Sequence, residues 1–279
     1  MRPCYPAVIL AVFVGARDAT ADDDCNQNFE PAPGSYAFVE EDHREFDIPP
    51  SATIDEIHYT RLPVFDESNP RENNAVFRFG NRFHILTRER TVARDVLFDS
   101  GDDYNERELK ESGRILRARD HLYDADVRPV SVCGNEVDVE VITRDVWSFT
   151  PEVSYDRSGG ANSFRAGVAE SNLLGLGREL SFVYDDDIDR RSMRFGYEDP
   201  NVGGSRIGLK LEYTDSDDGF QQFGRVGLPF CSLDSRKPWD LVYDNVKRDV
   251  EQFFRGDAVT EVRQEIEEAR AAFGFSRMD

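Results

Sequence analysis

The four histidines, His43, His58, His84 and His121, are scattered and share no metal-ligand spacing with one another or with a cysteine, so no zinc site follows from them. Asp185-Asp-Asp187 with Asp189, and Asp215 to Gly219, have the composition of a calcium loop. Setting Gly219 at the sixth loop position, however, puts Arg225 where a bidentate carboxylate is required, so both stretches read as solvated hairpin turns. No Gly-x-Ser-x-Gly elbow offers a nucleophile. Gly175-Leu-Gly177 and Gly203-Gly204 fall between strand patterns, not before a helix, and cradle no phosphate. The chain is therefore expected to be no enzyme, with no catalytic, cofactor-binding or metal-binding residue and no cofactor.

The charge points the same way. In 279 residues, 34 Lys and Arg face 55 Asp and Glu, a formal net charge of −21. A nucleic-acid partner is excluded, because phosphates demand a basic surface. Met1 and Arg2, the apolar run Ala7 to Ala16, and Ala19-Thr-Ala21 have the layout of a secretory leader over residues 1–21. Cys25 follows three aspartates, unlike a lipidated cysteine. Cys4 departs with the leader, and any disulfide among Cys25, Cys133 and Cys231 is left open in an oxidising compartment. No later run reaches the ~18 apolar residues of a membrane helix, so entry into a bilayer would have to be by strands closed into a barrel.

These residues are carried by three stretches. Residues 22–50 are acidic and proline-bearing, an arm or linker. Residues 51–146 read as an α+β module in the order β-α-α-β-β. Its first strand is Ile54 to Phe65, and its first helix Thr87 to Phe98, stopped by Gly101. A second helix is capped by Asp103 and Glu106 and runs through Leu109 and Leu116. The last two strands are His121 to Val132 and Asn135 to Val146, with a turn at Gly134-Asn135. In the last of these, Val137, Val139 and Val141 share one face and Glu136, Asp138 and Glu140 the other.

From Trp147 to residue 279 the period becomes two, giving an all-β antiparallel meander with seven or eight strands. Val259 to Phe273 fits a helix as well as a strand. A soluble β-sandwich alternates in the same way. The membrane barrel is favoured by charged residues at successive positions of the polar face, which suit a wet lumen, and by aromatics at strand ends. Trp147, Tyr155, Tyr184, Tyr197, Tyr213 and Tyr243 are the expected interfacial aromatics, with acidic loops close beyond most of them.

Several stretches in order resemble the BamA/TamA-type outer-membrane protein family over residues 51–260. Phe98-Asp-Ser-Gly-Asp-Asp-Tyr104, Leu109-Lys-Glu-Ser112 and Arg114-Ile-Leu-Arg117 resemble the helical part of its POTRA domain. Val137-Asp-Val-Glu-Val141 with Thr143-Arg-Asp-Val-Trp147 resembles the last POTRA strand entering the barrel. Glu170-Ser-Asn-Leu-Leu-Gly-Leu-Gly177, Tyr197-Glu-Asp-Pro-Asn201 and Pro229-Phe-Cys-Ser-Leu-Asp-Ser-Arg236 are similar to early barrel hairpins.

The resemblance implies a periplasmic POTRA-like domain at 51–146 and the N-terminal half of an outer-membrane barrel at 147–279. It implies outer-membrane protein assembly or polypeptide translocation without ATP. The partners would be outer-membrane lipids, unfolded or extended client polypeptides and periplasmic assembly proteins. It also implies an edge strand for client addition, here Asp126, Val127, Arg128, Pro129, Val130 and Ser131, and a seam at the first barrel strand. Such barrels have about sixteen strands of ~10 residues, so the chain is expected to be a truncated product. The alternative is a soluble periplasmic protein-binding module with a small β-sandwich.

Overall fold

The computed structural model describes residues 46–158, 161–188, 190–229, 237–254 and 257–275. The expected leader, Cys25, His43, most of the arm, and Phe230 to Arg236 of the third hairpin motif lie outside the described residues.

The first part is built on a three-stranded sheet of order β1-β3-β2. Strand β1 (Thr53–Leu62) pairs in parallel with β3 (Glu136–Asp145), and β2 (Leu122–Cys133) pairs antiparallel with β3. Pro63 follows β1, and proline has no N–H to continue the ladder. Val137, Val139 and Val141 of the central strand are fully buried. Helices α2 (Glu89–Ala93) and α3 (Glu106–Arg117) supply Val92, Leu109 and Leu116 to the same core. The hairpin turn falls at Gly134, whose φ of 60° suits a residue without Cβ. Cys133 is in a disulfide.

Three sequence expectations change here. An additional helix, α1 (Ala75–Phe83), stands between β1 and α2, so the order is β-α-α-α-β-β. It is capped by Asn74, whose side chain accepts from the backbone N–H of Val76 and Phe77. Helix α2 is only five residues long, because tertiary contacts described below hold Thr87 and Asp95 at its flanks. The cap of α3 is Asn105, not Asp103; its side chain accepts from Arg107 N, while Asp103 forms an isolated bridge to Thr53.

Glu140 is on the polar face of β3 as expected, yet it is buried. Thr60 Oγ1 donates to its Oε1 at 2.7 Å and an Arg128 guanidinium nitrogen to its Oε2 at 3.1 Å. The pairing removes the cost of an unpartnered buried carboxylate.

The second part is one eight-stranded antiparallel sheet in which each strand neighbours the next in sequence. Its strands are β4 (Phe149–Ser158), β5 (Ala161–Glu170), β6 (Glu179–Asp186), β7 (Arg191–Asp199), β8 (Gly208–Ser216), β9 (Gly219–Leu228), β10 (Trp239–Phe254) and β11 (Asp257–Phe273). The Val259 to Phe273 ambiguity resolves to strand, since β10 pairs along it from Trp239↔Phe273 to Phe254↔Asp257. The sheet is open, with β4 and β11 as its outer strands, and no second sheet packs on it among the described residues. The sandwich alternative therefore lacks its second layer.

Candidate membrane interface

Alternation gives the large sheet two unlike faces. One carries Pro151 and Val153 of β4, Phe164 and Val168 of β5, Leu180 and Phe182 of β6, and Met193 and Phe195 of β7. It continues through Leu211 and Tyr213 of β8 and Leu241 and Tyr243 of β10. Most of these are exposed, Val153 to 75% and Leu180 to 51%. Among the described residues, every buried hydrophobic side chain lies between Ala52 and Ile142, so the large sheet contributes none to the core. At ~1.5–3 kcal/mol per large apolar side chain left in water, a face of this size marks a surface that a membrane or another polypeptide covers.

The opposite face is ionic from β4 to β9 and on the first residues of β10; farther along β10 and β11 it carries the exposed Val250, Val262 and Ile266, while Lys247–Glu265 and Arg263–Asp249 pair on the side of Tyr243. Arg165 of β5 reaches Asp185 of β6 at 2.5 Å and Glu152 of β4 at 3.8 Å. Lys210 of β8 pairs with Glu212 at 3.1 Å and with Glu198 of β7 at 3.7 Å, and Arg225 of β9 pairs with Asp240 of β10 at 2.7 Å. These cross-strand and neighbouring pairs suit a hydrated surface, where each is worth well under ~1 kcal/mol.

The register places the expected tyrosines on a slant. Tyr184 opposes Ala166, which opposes Val153, two residues short of Tyr155. Tyr213 opposes Phe195, which opposes Phe182, two residues short of Tyr184. Tyr243 opposes Gly224, which opposes Leu211, two residues short of Tyr213. The line through these four thus shifts by about one residue per strand, which at ~3.3 Å rise and ~4.8 Å spacing is a tilt of roughly 35°. That is the inclination at which strands of a membrane barrel cross the bilayer.

The hydroxyls of Tyr155, Tyr184 and Tyr243 donate to Asn162, Asp186 and Glu267, a polar tip on an apolar body. Trp147 and Tyr197 sit apart from this line, toward the N-terminal module. Trp147 precedes β4, and Tyr197 shares a register row with Leu180 and Leu211.

The turns of the sheet on the module side are docked by buried polar groups. Asp145, at the end of β3, is 1% exposed. Its Oδ2 accepts from His84 Nε2 at 2.7 Å, from Thr87 N at 2.8 Å and Oγ1 at 3.0 Å, and from Asn172 Nδ2 at 3.4 Å. Asn172 lies in the β5–β6 turn and also donates to Thr87 Oγ1, while its Oδ1 accepts from Gly177 N. The β7–β8 turn repeats the device. There Asn201 Nδ2 donates to Asp95 Oδ1 at 3.1 Å, and Arg119 grips the same carboxylate.

The two turns share a local design. Glu170 accepts from Asn172 N, and Asp199 from Asn201 N, each two residues on, and Gly175 and Gly204 close them at positive φ. Gly177 has φ 62°, and a Cβ there would lie 2.6 Å from His121. Burial pushes the His121 pKa below the usual imidazole range, outweighing the opposite pull of Asp145 and Asp95.

Among the other expected site residues, Asp126 to Ser131 lie in β2, an edge of the small sheet, with a register shift between Pro129 and Ser131. Arg128 is engaged with Glu140, and Val127 and Val130 are buried. Asp145, Asn172 and Asn201 fall inside stretches that carry the resemblance but, like Asp95, were given no role from sequence. The signal for two of them is the repeated pattern acid-x-Asn-aliphatic-x-Gly at Glu170 to Gly175 and Asp199 to Gly204. Among the described residues no group of His, Cys, Asp and Glu could hold a metal ion.

No protein-family model matches the chain, and no curated protein matches it. Among solved structures it is similar to BamA from Haemophilus ducreyi lacking POTRA domains 1–3, at 14% identity and a TM-score of 0.45, over 82% of this chain and 45% of that one. It is similar to CdiB from Escherichia coli at 12% identity and TM-score 0.44, over 82% and 43%. For CdiB from Acinetobacter baumannii the values are 14% and 0.37, over 91% and 59%. The chain thus spans less than half the length of the first two.

Proposed function

We propose that this chain is an outer-membrane protein-assembly or polypeptide-translocation component of the BamA/TamA type, its large sheet facing lipid and its N-terminal module in the periplasm. The observation that carries this reading is the division of apolar surface. The module buries its own core, whereas the eight-stranded sheet presents one continuous apolar face that no described part of the chain covers. The ionic opposite face, the slanted tyrosine line and the residue-level resemblance support it.

In this reading the leader spans 1–21, the arm 22–50, a POTRA-like domain 51–146 and the barrel segment 147–279. The work needs no catalytic residue. The unpaired sides of β4 and β11 offer backbone N–H and C=O groups to an extended client, and β2, through Asp126 to Ser131, offers a second edge to clients or periplasmic assembly proteins. Pro129 and the register shift beside it restrict that second edge to short pairings. On β6, β7, β8 and β10 the continuous apolar band is about three outward positions deep, roughly 15 Å along the membrane normal, where a barrel band is ~25 Å. A band that thin draws the leaflets together and lowers the cost of passing a strand into lipid.

The test is fractionation of host cells followed by a urea wash of the membranes and an immunoblot for the N-terminal module. A urea-resistant outer-membrane band is expected. Recovery of the protein as a soluble periplasmic monomer would defeat the proposal.

A further inference from the structure

Helix α1 is the element that neither the module's core nor the large sheet explains. Its Phe77 stacks on Phe65 at 4.4 Å and Gly80 sits against Phe65 and Trp147, which fixes one side of the helix inward. The other side is uncovered. Phe79 and Phe83 are 61% and 62% exposed, with their rings 4.2 Å apart. Phe83 lines one small concavity with Ile85, Trp147, Phe149 and Leu174, all at least two-fifths exposed. This joins α1 to the first outward residue of β4, so the patch continues the apolar band of the sheet at its module end.

Two further observations point to a ligand. Leu174 holds φ 58°, a left-handed conformation that costs a non-glycine residue ~1–2 kcal/mol. The sister turn has glycine at the matching place, Gly203, so at Leu174 the strain is tolerated where an aliphatic side chain joins the patch. The local charge is also inverted. Around α1, Arg71, Arg78, Arg82, Arg88 and Arg90 outnumber Glu67, Glu72, Glu89 and Glu170, the first of these carboxylates held by Asn81 and the last lining the concavity, in a chain of net charge −21.

We propose that α1 is an interfacial foot. Its Phe79 and Phe83 face, with the adjoining patch, seats at the headgroup–acyl boundary of the module-side leaflet, and its arginines meet lipid phosphates. An amphipathic, basic-flanked helix at the border of a lipid-facing sheet fits that environment. The inference rests on the reading that the sheet faces lipid. It adds that the module itself is anchored, which fixes the module's height and swing beneath the sheet.

The full chain would be folded into phosphatidylethanolamine–phosphatidylglycerol vesicles carrying brominated acyl chains. Two sole-tryptophan variants share Trp147→Phe and Trp239→Phe and add either Phe79→Trp or Leu211→Trp. Emission is expected to fall roughly two-fold or more at both positions. Quenching at 211 but not at 79 would overturn the foot and leave the proposed function standing. Quenching at neither would sink both, and quenching at 79 alone would remove the lipid-facing sheet and, with it, the foot at its border. If position 79 is shielded from aqueous iodide without being quenched by brominated lipid, a polypeptide covers α1 and the inference fails. Arg78→Glu with Arg82→Glu is expected to lose the quenching at 79 and keep it at 211. Persistence at 79 would remove the phosphate contact from the proposal.

Discussion

A single carboxylate oxygen organises the joint between the two parts of the molecule. Asp145 Oδ2 gathers donors from His84, Thr87 and Asn172, contributed by the α1–α2 segment and by the β5–β6 turn. Asp145→Ala strands those buried donors together, and is expected to cost about 2–4 kcal/mol, read as a lower melting temperature and faster proteolysis between module and sheet. Asn172→Ala removes one arm of the joint and is expected to cost less, about 1–3 kcal/mol in the same assays.

His121 adds a pH dependence whose sign follows from its depressed pKa. The unfolded chain takes up a proton near the ordinary imidazole value of about 6.5, whereas the folded chain does so only at lower pH. Stability contributed by the neutral ring is therefore full above that value and declines as pH falls toward the folded pKa, by at most about 1.4 kcal/mol per pH unit. Thermal melts between about pH 5 and about pH 8 should show this slope, and His121→Gln should flatten it.

At the scale of elements, the strands of the large sheet from β4 to β9 and the first residues of β10 alternate apolar and polar residues between two faces. Leu211 faces the apolar side of β8 and Thr214 the ionic side. Leu211→Lys is expected to impair folding into lipid vesicles by about 2–4 kcal/mol, and Thr214→Lys to leave it nearly unchanged, as measured by urea titration of the vesicle-bound protein. Equal effects at the two sites would mean that the faces are not solvated differently. The helices follow another logic. The expected helix from Thr87 to Phe98 shrinks to Glu89–Ala93 because Asp145 claims Thr87, and Asp95 turns to Arg119 and Asn201. A hydrophobic period states which residues can share a face, and hydrogen bonds from distant elements decide how far the helix runs.

At the scale of the whole molecule, two parts answer to different solvents. The module has an apolar core from Ala52 to Val141. The sheet satisfies its backbone between strands, except along the outer sides of β4 and β11, and leaves its apolar side chains to the environment. Limited proteolysis in detergent-free buffer is expected to leave a resistant fragment close to residues 51–146, and added lipid or detergent should extend protection into the strands. Equal protection of both parts without detergent would speak against a lipid requirement.

The period-two pattern after Trp147, the module's three strands, the helix through Leu109 and Leu116 and the buried valines of β3 were legible in the chain itself, because alternation and helical spacing are local consequences of backbone geometry, whereas α1 was not. Even the tyrosines were visible, but only their types and strand positions. Their common slant required the register, which is set by pairing between strands. The openness of the sheet, the burial of Glu140, the gathering of Asp145 with Asn172 and the exposure of Phe79 and Phe83 were decided by tertiary structure. Each depends on which distant surfaces meet. A sequence records what every residue can do with its neighbours along the chain, and only packing determines which of those capacities is covered, paired or left facing outward.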